Sequence, residues 1–317
     1  MKGPHGTDFV QLISTTDFFY PLVEDPYIQG RIACANTLSD VYAMGIDRVD
    51  HMLMVLAIAL KMNEKEREIV TREMIRGFND CATEAGTKIT GGQSIMNPWP
   101  IIGGVANVVC HESEYIKVNQ AMPGDKLLLT KPLGTQVAVN LNEWMLQKNE
   151  RWTDEASKYF TEERAKEAYY MSVESMAHIN MNAAALMKKY SCHGATDITG
   201  FGIKGHAENL VHVQREDVDF RIHSLPIIDG MEVINEHVLN FKLTDGYSAE
   251  TSGGLLAIVP PDALQDMQRD LLHDFGQESW VVGDVVKGSR QVQWGKNKAS
   301  QSIDIINVET SFLSAEK

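Results

Sequence analysis

The sequence predicts a two-domain α/β protein. Three observations carry this: a length of 317 residues, apolar strand-like runs alternating with capped helices through residue 110, and a polar break ending in Met122-Pro123-Gly124, after which the pattern restarts. At roughly 100–200 residues per domain the length accommodates two cores. The polar break places the boundary near residue 118, giving domains 1–118 and 119–317.

Val10 to Thr16 reads as a strand running into a polar end. Asp25 then offers a helix cap, Pro26 suits the first helical position, and Ile28, Ile32, Leu38, Val41 and Tyr42 recur at helical spacing until Gly45. Met52 to Leu60 is a continuous apolar run, hence a buried strand. Asn63 with Glu66 three residues on opens a long amphipathic helix that stops at Gly86. Lys88 to Thr90 is a short strand leading into Gly91-Gly92, and Ile101 to Cys110 is another. The second half begins with strand Lys126 to Thr130, breaks at Lys131-Pro132-Leu133-Gly134, and continues as a helix. Gln147 to Glu167 is charged and poor in aliphatics, which predicts a solvated helical excursion before a helix from Ala168 to Tyr190. Strands follow near Asp219 to Ile222, Leu255 to Val259 and Trp280 to Val286.

Composition narrows the function classes. There are 43 acidic residues against 29 Lys plus Arg, a formal charge of −14, whereas duplex affinity comes mostly from cations neutralising phosphates. The balance argues against a nucleic-acid partner and leaves open a small anion held through a metal. No apolar stretch approaches the ~20 residues of a membrane span, and the N-terminus lacks the layout of a signal peptide. Cys34, Cys81, Cys110 and Cys192 show no zinc spacing. Reduced thiols and a cytoplasmic location are the simplest expectation.

Three acids sit at polar ends of elements beside hydroxyls: Asp17 after Thr16, Asp40 after Ser39, and Asp197 after Thr196. Mg²⁺ takes carboxylate oxygens and shares them with substrate phosphates, so aspartates of this kind would suit a nucleotide site if they converge. Each one alone reads more plainly as a cap or turn aspartate. Asn36 and Asp40 are four apart and share a helix face, either as an ordinary exposed pair or as part of a site. Gly91-Gly92-Gln93-Ser94 is an anion cradle or, more simply, a turn. Gly200, Gly202 and Gly205 satisfy G-x-G-x-x-G, but no apolar strand precedes them, so a dinucleotide fold is disfavoured. No Walker motif or kinase catalytic loop is present. Cys34 among alanines reads as a core residue, adjacent Cys192 and His193 supply no base geometry, and the methionines read as core fillers.

Taken in order, the segments from Ser14 to Phe19, Asp25-Pro26, Gly30 to Ala33, Asn36 with Ser39 to Gly45, Gly91 to Ser94, Leu129 to Gly134, Thr196 to Gly202 and Thr251 to Leu256 resemble selenophosphate synthetase, that is, selenide, water dikinase. The resemblance implies a two-domain fold like that of aminoimidazole ribonucleotide synthetase, with the N-terminal domain forming the sheet of a homodimer. It implies an ATP-dependent phosphotransferase that makes selenophosphate, AMP and phosphate from ATP, selenide and water. By the same resemblance Asp40 and Asp197 would hold Mg²⁺, Thr16 and Asp17 would lie at the nucleotide, and Gly91, Gly92, Gln93 and Ser94 would contact ATP across the dimer interface.

The departures are as informative. The family carries, ahead of the first matched strand, a glycine-rich segment with a catalytic cysteine or selenocysteine, a lysine, and a further metal-binding aspartate. Asp17 has 16 residues before it, and they contain none of these; Lys2 is no substitute. Ser248-Ala249-Glu250 stands where many relatives have Asp-Pro-Gln. The expectation is therefore an N-terminally truncated core, impaired by itself and holding no catalytic nucleophile, with a non-catalytic dimeric paralogue as the alternative. A relative acting on another acyl or amidine phosphate is a third reading, disfavoured by the ordered motifs.

Overall fold

Local signals place the first helices. In the computed structural model, which describes residues 10–295, 302–309 and 312–313, helix α1 (Pro26–Ala43) starts where Asp25 accepts the N–H groups of Tyr27 and Ile28. Helix α2 (Glu64–Glu84) starts on a complete capping box between Asn63 and Glu66. The two helices cross closely through glycine. A Cβ on Gly30 would come 2.1 Å from the Met74 carbonyl oxygen, and one on Gly77 would come 1.8 Å from that of Tyr27.

These helices cover one face of a four-stranded sheet ordered β1 (Gln11–Phe19), β4 (Ile101–Cys110), β2 (His51–Ala59), β3 (Ile89–Asn97). Strand β1 runs antiparallel to β4, and β3 parallel to β2. Along β1, Ile13, Thr15, Asp17 and Phe19 are half-buried while Leu12, Ser14, Thr16 and Phe18 are exposed, the period of two expected of a strand covered on one side. The sequence expectation for β3 is corrected here. Instead of ending at Thr90, the strand continues through Gly91-Gly92-Gln93-Ser94 to Asn97. The four residues form a strand and not a turn. Gly92 has φ +140° and lies against the Met54 backbone, so the glycine permits a close strand approach.

The described residues fall into two compact units. One comprises the chain to Ile116 together with Ala177–Lys188, and the other comprises Lys117–Met176 and the chain from Lys189 onward. In the second unit a six-stranded sheet has the order β11 (Val292–Trp294), β7 (Val218–Ile222), β10 (Trp280–Lys287), β5 (Lys126–Leu129), β9 (Leu255–Val259), β6 (Gly194–Asp197). Strands β8 (Ser224–Ile228) and β12 (Asp304–Val308) form a parallel pair. Its helices are α3 (Thr135–Gln147), α4 (Glu162–Ala177), α6 (Gly202–His212), α7 (Met231–His237) and α8 (Leu264–Phe275), with α5 (Met181–Lys189) largely in the first unit.

Two further expectations change. The excursion after Gln147 is not a solvated helix: a π turn at Arg151–Glu155 and a 3₁₀ turn at Ala156–Lys158 bury Trp152, Ala156, Phe160 and Ala165 in the second core. The long helix from Ala168 to Tyr190 is two helices, α4 and α5, separated near Asn180. The cysteines are free and buried, as anticipated for Cys34. Among the described residues no helix is long and apolar enough to cross a membrane.

Candidate nucleotide and metal site

The strand period decides which side chains of Thr15-Thr16-Asp17 act together. Thr15 and Asp17 face the helices, and the Thr15 hydroxyl donates to Asp40 Oδ2 at 2.5 Å. Asp17 has its carboxyl pushed up to about 6, first by burial and then by the negative charge of Asp40. A strand and a helix thus set two carboxylates against each other, one half-buried and one exposed. Thr16 points to the opposite face, so Thr15 is the residue beside the acids. The β-strand period was the signal that could have found it.

Asp40 follows Ser39 near the end of α1, where Asn36, Thr37 and Ser39 are all buried. Asn36 is therefore no exposed partner of Asp40. Asn180, at the start of α5, donates from Nδ2 to the Ser39 hydroxyl at 3.3 Å and so ties this part of α1 to a segment far along the chain.

Gly91–Ser94 lie at the other edge of the same sheet. Three strand spacings separate β1 from β3, about 14 Å. One copy of the first unit does not gather Asp17 and Gly91–Ser94 at one point.

Asp197 belongs to the second unit, where it ends β6 and is buried. A strand does precede Gly200 and helix α6 follows, contrary to expectation. Strand β6 pairs antiparallel with β9, however, and a dinucleotide fold needs a parallel sheet, so that reading stays excluded. The loop after Asp197 is held on several sides. The Ile198 N–H donates to the Gly254 carbonyl at 2.9 Å, the Glu250 N–H to the Thr199 carbonyl at 3.1 Å, and the Thr199 N–H to His206 Nε2 at 3.0 Å.

Around this loop three separate motifs meet. Lys131, fully buried, donates from Nζ to the carbonyls of Ser252 at 2.7 Å and Ser175 at 2.9 Å. Gly254 packs on the Lys131 backbone, where a Cβ would come 2.5 Å from its nitrogen. Glu250 accepts the N–H of Gly134 at 2.7 Å and that of Thr135 at 3.0 Å, together with the Thr135 hydroxyl. Burial pushes its carboxyl up to about 7, against the opposing pull of those bonds. The residue that departs from Asp-Pro-Gln is thus the clasp between the segment before Thr251 and the first turn of α3. Its local sequence carries no sign of this, because its partners lie more than 100 positions away.

The donor set at Asp17 and Asp40 suits a hard divalent cation, which prefers carboxylate oxygens. Among the described residues no three His, Cys, Asp or Glu side chains gather at metal spacing, so a cation there would complete its shell with phosphate or water oxygens. Lys2 lies outside the described residues.

Known proteins agree with this architecture. The N-terminal domain of AIR synthase related proteins matches residues 7–109, and the C-terminal domain of the same proteins matches 122–295. Selenide, water dikinase 3 of Danio rerio is 51% identical over 89% of this chain and 66% of its own length, and selenide, water dikinase 2 of Homo sapiens is 51% identical over 89% and 63%. The chain therefore spans less than two thirds of those two relatives. Selenide, water dikinase of Dictyostelium discoideum is 46% identical over 95% of this chain and 83% of its own. Among solved structures, HypE, a hydrogenase maturation protein of E. coli, aligns with a TM-score of 0.69 at 15% identity, covering 94% of this chain and 87% of its own. A HypE in complex with ATP aligns with a TM-score of 0.62 at 15% identity, covering 87% and 77%. At such identities the structures speak for the fold, while the sequence relatives decide the family: this chain belongs to the selenide, water dikinases, within the AIR synthase related proteins.

Proposed function

We propose that the chain binds ATP with Mg²⁺ and carries the phosphoryl-transfer core that converts ATP, selenide and water into selenophosphate, AMP and phosphate. The observation that carries this is the Asp17 and Asp40 pair, two carboxylates in mutual repulsion at one edge of the first sheet. It stands in a chain half identical to selenide, water dikinases. The structural neighbour solved with ATP adds support for the nucleotide.

In this reading Asp40 and Asp17 hold the cation and Thr15 fixes the rotamer of Asp40 by its hydroxyl; for Asp197 a role as Mg²⁺ ligand rests on the family resemblance alone. Bound Mg²⁺ supplies charge neutralisation on the phosphates. The residues of the chain hold and orient the nucleotide at a loose transition state that asks mainly for positioning. Asp17 binds the cation only when ionised, and cation binding favours that form.

The dimer belongs to the same proposal. The sheet face away from α1 and α2 exposes Leu12, Phe18, Ile95 and Val109, an apolar patch of the kind that marks an interface. A second copy is the occupant this reading assigns to it, and its Gly91–Ser94 strand would then approach the Asp17 edge that the same copy's strand does not reach. Light scattering of wild type and Phe18→Asp tests this: dimer and monomer, respectively, are expected, and a monomeric wild type would contradict it.

Calorimetric titration with a non-hydrolysable ATP analogue and Mg²⁺, followed by assay of selenide-dependent AMP, tests the activity. Mg²⁺-dependent binding weakened about tenfold or more in Asp40→Asn is expected, the scale of one lost charge-assisted contact. Binding without selenide-dependent AMP is expected both of an impaired core and of the non-catalytic alternative, selenide-dependent AMP would contradict the latter, and absence of Mg²⁺-dependent nucleotide binding would overturn the site.

A further inference from the structure

A cleft of about 310 Å³ in the second unit has no part in the nucleotide reading. It is lined by Asn119, Gln120, Ala121, Met122, His193, Arg215 and Glu216. Its floor is built rather than accidental. Asp125, buried behind the cleft, closes the Met122-Pro123-Gly124 turn by accepting the Met122 N–H at 2.7 Å and faces His193 Nδ1 at 2.7 Å. A carboxylate only accepts, so Nδ1 carries the proton and Nε2 is the ring nitrogen left for the cleft. Gln214 locks the wall: its side chain accepts the Ala121 N–H and donates to the carbonyls of Val118 and Leu210.

The exposed Arg215 guanidinium makes no ion pair or hydrogen bond among the described residues, although its backbone is held by Asn119 and Arg290. An uncommitted guanidinium in a concave site is the usual reader of carboxylate and phosphate. We propose that this cleft binds a small hydroxylated oxyanion, its anionic group on Arg215 and His193 Nε2 and a hydroxyl donor on the Glu216 carboxylate. Imidazolium would donate to the anion, and neutral imidazole would accept a hydroxyl of the same ligand. The apolar body of Met122, 48% exposed at the rim, would cover the carbon skeleton. This inference is independent of the nucleotide reading, because none of its residues belongs to that site.

The test uses three matched probes, glycerol phosphate, glycerate and glycerol, with the His193 ring signals followed by NMR. Saturable shifts with the phosphate or the carboxylate, and none with uncharged glycerol, are expected; the two anions tell which oxyanion the cleft takes. Arg215→Ala should weaken binding about ten- to hundredfold, the scale of a lost charge-assisted hydrogen bond, with an unchanged melting temperature. If that variant fails to fold, Arg215→Gln gives the same readout. Asp40→Asn should leave binding untouched. No saturable shift with any oxyanion, binding unaffected at Arg215, or binding lost in Asp40→Asn would overturn the proposal, the last by reassigning the anion to the nucleotide site.

Discussion

The two units treat charge in opposite ways. In the second, Lys131 and Glu250 are buried and each is bonded to backbone groups of distant segments, so both side chains are committed to holding loops in place. In the first, Asp17 and Asp40 repel each other at a strand edge, with one threonine hydroxyl on Asp40. A buried group bonded to distant backbone fixes geometry, whereas a carboxylate set against a like charge at an accessible edge is ready for a ligand. The difference separates residues whose loss should unfold the protein from residues whose loss should only empty its site.

The sharpest way to break this contrast is Lys131→Ala. It leaves the carbonyls of Ser175 and Ser252 without their cation and should cost about 3–5 kcal/mol, read by denaturant unfolding. A cost below about 1 kcal/mol would mean that the knot is not cooperative.

Glu250 comes next and is read through pH. Its folded carboxyl lies at about 7 against an ordinary 4.5, so the folded state holds the proton more tightly than the unfolded chain. This contribution to stability is fully present below pH 4.5 and is lost as pH rises through 7, by about 3 kcal/mol in all. Glu250→Gln should flatten the loss in that window, at the cost of one acceptor for the first turn of α3. A variant with the wild-type pH profile would show that another group governs it.

Gly77→Ala should cost about 1–3 kcal/mol by forcing α1 and α2 apart, with no change in the Asp17 and Asp40 pairing. Asp40→Asn has the smallest expected effect on stability, within about 0.5 kcal/mol, since a surface charge is removed together with its repulsion. Removing that repulsion should also bring the Asp17 carboxyl down from about 6 without restoring it fully, because burial is the larger cause. Carboxyl NMR titration reads this directly.

How much of this was legible in the sequence depends on how local each signal is. Asp25-Pro26 and Asn63 with Glu66 named two helix starts because a cap and its partner lie within one turn. Strand β4, from Ile101 to Cys110, followed from its apolar run. Strand β3 was cut short because Gly91-Gly92 read as punctuation, whereas it is a close approach to β2 that only the sheet reveals. The excursion after Gln147 looked solvated because its charges outnumber Trp152, Ala156, Phe160 and Ala165, the four that anchor it. Asp17 and Asp40 were identified as acids, and their proximity came from packing. Thr15 and Thr16 are alike by residue type, and only the strand period places Thr15 on the side of the acids. Glu250 and Lys131 were beyond reach, since a clasp across the chain has no local spacing.

The central claim, that Asp17 and Asp40 are the ligand-ready pair, is tested most directly by titrating Mg²⁺ and a non-hydrolysable ATP analogue into wild type and Asp40→Asn under one buffer, with melting temperatures measured alongside. Affinity reduced about tenfold or more at an unchanged melting temperature is the predicted result. Equal affinity in the two proteins would contradict it.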